Sequence, residues 1–128
     1  AYEVDLKRVL DREQILALQR MVRRVPVSDH VVNYAVKLVG LTRPGRDGAP
    51  DFIKDWVSWG AGPRASQYLI LGGKTKAVLE GRYTPSEEDI EEVAMAVLRH
   101  RIVTNFNAEA DGVDSARIVE MLLQMVRS

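Results

Sequence analysis

Apolar residues recur along most of this chain at steps of three and four positions, which is the spacing of one face of an α-helix. The first stripe begins after Asp11 and ends before Pro26, a residue that cannot continue a helix. The later stripes follow Ser28, Pro63, Thr84 and Gly112. With a possible short helix between them, they predict an all-α fold, a small bundle of five or six helices.

The apolar positions of these stripes define the predicted core. The first stripe contains Ile15, Leu18, Met21, Val22 and Val25. The buried residues of the later helices are predicted to be Val31, Ala35, Leu38 and Val39; Ala65, Leu69 and Val78; Ile90, Val93, Ala94, Val97 and Leu98; and Ile118, Leu122, Met125 and Val126. Residues 1–11 show little pattern and are predicted to be a linker or tail, which leaves residues 12–128 as one helical domain.

Two stretches interrupt the helical pattern before Pro63. Residues 42–50 contain two glycines and two prolines and are predicted to form a loop. Residues 52–59 fit either a short helix or a strand, and we favour the helix. Trp56 and Trp59 in this segment are predicted to be core or interface anchors rather than base-stacking platforms, because basic residues do not alternate with them.

The helix after Thr84 has the clearest end signals in the chain. Thr84-Pro-Ser-Glu87 matches a capping box with proline at the first helical position. Acidic residues favour the positive N-terminal end of a helix and basic residues its negative C-terminal end. Such residues are Glu87, Glu88 and Asp89 at one end and Arg99, His100 and Arg101 at the other. The carboxylates, with Glu91 and Glu92, are predicted to form a solvated face rather than an acid/base site.

The composition restricts the possible functions. Eighteen basic residues balance eighteen acidic ones, so bulk charge indicates neither a nucleic-acid partner nor an anionic membrane surface. Cysteine is absent from the sequence, which excludes thiolate metal sites and fits a reducing cytoplasm. His30 and His100 lack a second ligand at zinc spacing, so no metal site is predicted. The longest apolar run, residues 93–98, is too short to span a bilayer, and no signal peptide is recognisable.

The strongest candidate for chemistry is the stretch Gly60-Ala-Gly-Pro-Arg64. Gly60 and Gly62 bring the backbone tightly into a helix start, and Pro63 suits the first helical position. Arg64 then lies in the first turn, where a cation opposes the helix dipole by roughly 0.3–1 kcal/mol unless an anion is nearby. Free N–H groups and a guanidinium together make a phosphate site. The alternative, which the residues alone favour, is an exposed arginine paired with a carboxylate.

A second glycine pair, in Gly72-Gly-Lys-Thr75, imitates part of a nucleotide-binding loop. A Walker A loop needs a glycine where this sequence has Tyr68, and it should follow a buried strand rather than lie inside a helical pattern. We therefore reject a P-loop here and predict that Lys74 is a solvated helix residue. Each glycine costs roughly 1 kcal/mol relative to alanine inside a helix, so this helix is predicted to be locally weak or closely approached by a neighbour.

Several separated motifs resemble the C-terminal helical lid of MoxR-type AAA+ ATPases. The segment Val57-Ser-Trp-Gly-Ala-Gly-Pro-Arg-Ala-Ser-Gln67 is similar to the sensor 2 segment of that family. Other motifs agree in family order: residues 32–43 ending in Thr-Arg, Lys76-Ala-Val-Leu-Glu-Gly-Arg82, Pro85 with Asp89-Ile90, Val97-Leu-Arg-His-Arg101, and Asn105-Phe-Asn-Ala-Glu109 with Gly112. The resemblance covers roughly residues 12–127. Gly72-Gly73 departs from it, because the family usually has alanines there.

The resemblance implies a role in ATP hydrolysis by a larger protein. In the family this region is a lid over the nucleotide of a preceding P-loop domain, so ATP with Mg²⁺ is the implied cofactor of the full-length protein. Arg64 is implied to be the sensor 2 arginine, a catalytic residue, and Gly60, Gly62 and Pro63 are implied to bind the nucleotide with it. The sequence contains no Walker A, Walker B or sensor 1 motif, so the chain alone is expected to hold no cofactor and to hydrolyse no ATP.

The resemblance also implies partners. These are the P-loop ATPase domain of the same chain, neighbouring subunits of a homo-oligomeric ring (commonly a hexamer), and the protein client of a cytoplasmic chaperone-like assembly or metal-insertion factor. Neither nucleic acid nor membrane insertion is expected. Two alternatives stay open: a stand-alone helical module that binds a partner helix, and a helix-turn-helix DNA binder, which the charge balance disfavours.

Overall fold

The computed structural model describes residues 3–128, which form seven helices and one two-stranded ribbon. The helices are α1 (Arg12–Arg23), α2 (Asp29–Leu41), α3 (Asp51–Trp56), α4 (Pro63–Leu79), α5 (Glu87–Leu98), α6 (Phe106–Ala110) and α7 (Ser115–Arg127). The strands β1 (Val57–Trp59) and β2 (Val103–Thr104) pair antiparallel. The predicted all-α bundle is confirmed, with seven helices in the described residues where five or six were predicted. Helix α6 lies between β2 and α7, where the sequence predicted no helix.

The predicted linker is only partly described. Residues 1 and 2 lie outside the described residues, while residues 3–10 form neither helix nor strand. Asp11 caps α1, since its side chain accepts a hydrogen bond from the backbone N–H of Gln14 at 2.8 Å. Regular structure therefore begins at Arg12, and the division of the chain into a tail and a domain at this point stays a prediction.

Helix α4 is central to the bundle. It packs against α1, α2 and α5, and α7 covers another side of α5. Leu38, Leu69, Ile90, Leu98 and Leu122 are among the largest fully buried side chains. The predicted core is confirmed at most positions of α2, α4, α5 and α7, but Val78, Val93, Val97 and Val126 are half-buried and Met125 is exposed. The apolar stripe of α1 is not buried: Ile15, Leu18 and Met21 are exposed, and Val22 and Val25 are half-buried.

The two glycines inside α4 lie where α5 approaches most closely. A Cβ added to Gly73 would lie 2.9 Å from Ile90 Cδ1, and one added to Gly72 would lie 3.1 Å from Val93 Cγ2. Real Cβ atoms rarely come this close to a neighbour. Of the two predicted explanations for these glycines, the structure therefore shows the close approach.

The start of α5 differs from the prediction by two residues. Its N-cap is Ser86 rather than Thr84, and the capping box pairs Ser86 with Asp89. Thr84 instead donates its hydroxyl hydrogen to the Pro26 carbonyl at 2.9 Å, and Pro85 is buried ahead of the cap. The predicted box at Thr84 is wrong because this tertiary hydrogen bond engages its side chain elsewhere.

The carboxylates of α5 are less uniformly solvated than predicted. Asp89 is buried and receives two hydrogen bonds from the Arg82 guanidinium, both at 2.6 Å. Glu91 is half-buried and accepts hydrogen bonds from the Tyr34 hydroxyl at 2.6 Å and from Arg127 Nε at 2.9 Å. The solvated-face prediction is wrong for these two residues, which tie α5 to neighbouring segments.

The segment with two possible readings contains both structures. The favoured helix is correct as far as Trp56, but residues 57–59 form β1 because Val57 pairs with Thr104. Trp56 is half-buried and donates its indole N–H to Asp111 Oδ2 at 2.9 Å. Trp59 is 73% exposed, so it is not a core residue.

Candidate functional site

The candidate site begins at a bend, residues 60–63, that links β1 to α4. A Cβ added to Gly60 would lie 2.6 Å from the carbonyl carbon of Thr42 and 2.8 Å from Arg43 Cα. These are backbone atoms, so they cannot rotate away as the end of a flexible side chain could. Glycine at this position therefore lets the bend lie directly against the C-terminal end of α2.

Two residues that follow α2 hold this bend by side-chain hydrogen bonds. The buried Thr42 hydroxyl donates to the Val39 carbonyl at 2.6 Å and accepts from the Ala61 backbone N–H at 2.9 Å. Arg43 Nε donates to the Ala61 carbonyl at 2.9 Å. Both backbone polar groups of Ala61 are thus satisfied by the two residues that follow α2, which fixes the direction in which α4 begins.

The first turn of α4 is open. Gly62 is its N-cap in an extended conformation (φ −92°, ψ −177°), and Pro63 occupies the first turn as predicted. A glycine offers no side-chain oxygen to the first backbone N–H groups, so this helix has no side-chain hydrogen bond at its N-cap. The positive end of the α4 dipole therefore faces outward without a built-in acceptor.

Arg64 projects from this open turn. Its side chain is exposed and forms no salt bridge with any of the described residues. The carboxylate-paired alternative left open by the sequence therefore has no partner within residues 3–128. A guanidinium and an uncapped helix start at one place suit a phosphate or another oxyanion.

A second arginine lies near the start of α4. The Arg101 guanidinium stacks over the Tyr68 ring, 4.9 Å from its centroid, and donates to the Val97 carbonyl at 2.8 Å. Tyr68 follows Arg64 by one helical turn, so both side chains lie on neighbouring parts of α4. From the sequence, Arg101 is predicted to complement the dipole of α5 and is the last residue of the Val97–Arg101 motif. Its contact with Tyr68 joins segments too far apart in sequence to be paired from the pattern alone.

The other candidates from the sequence form no site. Lys74 lies inside α4, where its ammonium contacts the Arg23 carbonyl at 3.4 Å, so the rejected P-loop is indeed helical. His30 pairs with Ser28, and His100 pairs with Arg101. Among residues 3–128 no three His, Cys, Asp or Glu side chains are grouped to hold a metal, and no helix there is long and apolar enough to cross a membrane.

Known proteins are similar to this chain in sequence and in fold. The family model of the AAA lid domain matches residues 53–122. Chaperone MoxR1 of Mycobacterium tuberculosis is 33% identical over 120 residues, covering 94% of this chain and 32% of MoxR1. The uncharacterized protein YeaC of Bacillus subtilis is 28% identical over 122 residues, covering 95% of this chain and 35% of YeaC.

A solved structure agrees with these matches. The crystal structure of a proposed ATPase from Cytophaga hutchinsonii superposes with a TM-score of 0.80 at 32% identity, covering 88% of this chain and 34% of that one. This chain therefore spans about a third of the length of each of these relatives.

Proposed function

This chain belongs to the AAA lid domain family, and from that membership we propose that it is the lid of a MoxR-type AAA+ ATPase in which Arg64 acts as the sensor 2 arginine. In the full-length protein, the P-loop domain of the same polypeptide holds ATP with Mg²⁺. Arg64 reaches from the lid to the γ-phosphate of that nucleotide. The family match and the similarity to MoxR1 confirm the predicted lid and favour it over a stand-alone helical module.

The observation that carries the proposal is an exposed guanidinium on a rigidly held, uncapped helix start. Thr42 and Arg43 fix the bend before α4, so the position of the Arg64 backbone is set in advance. Phosphoryl transfer is accelerated mainly by positioning and by charges aimed at the transferred group. Once a second domain covers Arg64 and excludes water, its charge acts more strongly on a phosphate than it does in solvent.

The remaining parts of the proposal concern the whole protein. The lid would serve a chaperone-like factor for protein assembly or metal insertion in the cytoplasm, and the similarity to a protein named as a chaperone supports this role. Its partners would be neighbouring subunits of a homo-oligomeric, hexameric ring and a protein client. A nucleic-acid partner is not proposed, since acidic and basic residues are equal in number.

The test is Arg64→Ala in the full-length ATPase, measured as phosphate release at saturating ATP and as nucleotide affinity. We expect kcat to fall at least tenfold, which corresponds to about 1.4 kcal/mol of lost transition-state stabilisation. The dissociation constant of the nucleotide should change only a few-fold. Arg99→Ala is the matched control, because it removes a guanidinium from another exposed position at the end of α5 and should leave kcat unchanged. A wild-type kcat for Arg64→Ala would show that Arg64 is not the sensor 2 arginine.

A further inference from the structure

Helix α1 has an apolar face that the described residues do not cover. None of its residues is buried, and Ile15, Leu18 and Met21 are 44%, 42% and 45% exposed. An amphipathic helix on a globular domain normally turns such a stripe toward the core. Only part of the stripe on α1 rests on α4, so the remainder is available to another surface.

The uncovered face of α1 and the C-terminal half of α4 form a groove of about 440 Å³, called the α1–α4 groove below. Ile15, Leu18 and Met21 line it from α1, and Leu71, Val78 and Leu79 line it from α4. Leu79 is 79% exposed. An exposed apolar surface that spans two helices in this way is suited to contact with another protein surface.

The groove and Arg64 lie on the same face of α4. Residues seven apart are separated by about two turns of an α-helix, so Leu71 and Val78 are aligned with Arg64. At a rise of about 1.5 Å per residue, Leu71 lies about 10 Å and Val78 about 21 Å from Arg64 along the axis. A single protein domain bound at the groove would therefore also reach Arg64.

We propose that the α1–α4 groove is the docking site of the P-loop domain of the same polypeptide. This inference rests on the proposed function, which supplies that domain, and on the family resemblance, which implies that the domain precedes the lid. The relatives are about three times as long as this chain, so they contain enough additional polypeptide for such a domain. The groove then holds the domain while Arg64, on the same face, meets its nucleotide.

The path of the chain favours a tethered occupant over a free one. Leu10 lines the groove, and residues 3–9 continue from it without helix or strand. Val4, Leu6 and Val9 in this segment are all exposed. A domain attached there is present at an effective concentration in the millimolar range, so it would occupy the groove even if its intrinsic affinity for the groove were weak.

Charge at the edge of the groove defines the surface that fits it. Arg23 lines the groove, and Lys74 contacts the Arg23 carbonyl at its border. Helix α1 contains one acidic residue, Glu13, and three basic residues, Arg12, Arg20 and Arg23. The matching face of the P-loop domain is therefore apolar with an acidic rim.

Backbone hydrogen exchange in dilute, nucleotide-free solution tests the proposal. We expect the amides of α1 to exchange at least tenfold more slowly in the full-length protein than in the 128-residue chain, because docking suppresses local opening of an unburied helix. Ile15→Asp in the full-length protein should remove this difference. Val36→Asp is the matched control: Val36 is also 44% exposed, but it lies on α2 outside the groove, so the protection should remain.

Two further measurements make the outcome decisive. Leu79→Asp must also remove the protection, and its exposed position keeps the fold intact if Ile15→Asp disturbs α1 itself. Equal exchange in both proteins overturns the proposal. Protection that appears only at concentrations where subunits assemble also overturns it and assigns the groove to a neighbouring subunit. In full-length Arg64→Ala the protection should persist, so a failed sensor 2 role and a failed docking surface give different results.

Discussion

Gly60 is the residue on which the geometry of the bend depends most directly. Its backbone lies so close to Thr42 and Arg43 that any side chain would meet the main-chain atoms of these two residues. Gly62, two residues later, has nothing within 4 Å of the place where a Cβ would be, and its φ of −92° is accessible to every residue. Two glycines of one motif therefore have different roles: the first permits contact and the second only starts the helix.

Replacement of each glycine by alanine separates these roles. Gly60→Ala should lower the free energy of unfolding by about 2 kcal/mol, because overpacking against fixed backbone typically costs 1–3 kcal/mol. Gly62→Ala, the control, should change it by less than about 0.5 kcal/mol, since a slightly poorer N-cap is offset by a less flexible unfolded chain. Urea unfolding of the 128-residue chain measures both values. Equal midpoints for the two variants would contradict the close approach.

The candidate site was only half predictable from the sequence. The helix start, Pro63 and the outward position of Arg64 follow from local residue preferences, and the structure has the same arrangement. The hydrogen bonds that hold the bend join Ala61 to Thr42 and Arg43, which are 19 and 18 residues away. No local pattern specifies such pairs, although the resemblance did single out the Thr-Arg end of α2.

The observed ends of two helices differ from the predicted ends because residues distant in sequence compete with the local sequence signal. Thr84 has the right chemistry for an N-cap, but its hydroxyl bonds the Pro26 carbonyl, so Ser86 becomes the cap. Helix α3 ends at Trp56 because the following residues pair with β2. The helices themselves were predictable from periodicity, whereas these ends required contacts between segments far apart in sequence.

The ion pair between Arg82 and Asp89 fixes the turn between α4 and α5. Hydrogen bonds from the Arg82 guanidinium lower the pKa of Asp89, against the opposing effect of burial. A carboxyl group whose pKa is lower in the folded state stabilises the fold above its unfolded pKa, about 3.9. This contribution is lost as the pH falls through the lower folded pKa.

Asp89→Asn should therefore destabilise the chain by about 2 kcal/mol at pH 7. This is less than the 3–5 kcal/mol of a fully buried pair, because the Arg82 side chain is 38% exposed and retains water. In urea unfolding, the difference in the free energy of unfolding between the variant and the wild type should become smaller as the pH falls below about 4. Glu120→Gln is the control, since Glu120 and its partner Arg117 are both 53% exposed and the pair is worth about 0.5 kcal/mol. If this difference in the free energy of unfolding did not depend on pH, the ion pair would not be what stabilises this turn.

The features to which we assign a function lie on one side of the molecule. Arg64, the open start of α4 and the α1–α4 groove share a helix face, while α2, α5 and α7 enclose the core. In the proposed lid role, the exposed Arg64 and the uncapped start of α4 would form one wall of a nucleotide site. A P-loop with its bound Mg²⁺ provides most of the phosphate contacts in AAA+ ATPases, so this chain should depend on a second domain for affinity.

This dependence predicts how the 128-residue chain responds to ATP. One guanidinium and a helix start give a dissociation constant of about 1 mM or weaker, and 1 mM ATP then adds at most about 0.4 kcal/mol to stability. The thermal midpoint should rise by no more than about 3 °C, with no phosphate release above background. Lys74→Ala should behave identically, because Lys74 lies inside α4 and not in a phosphate-binding loop. A large ATP-dependent shift that Lys74→Ala removes would restore the P-loop reading, whereas one that Arg64→Ala removes would mean that the lid binds nucleotide without its partner domain.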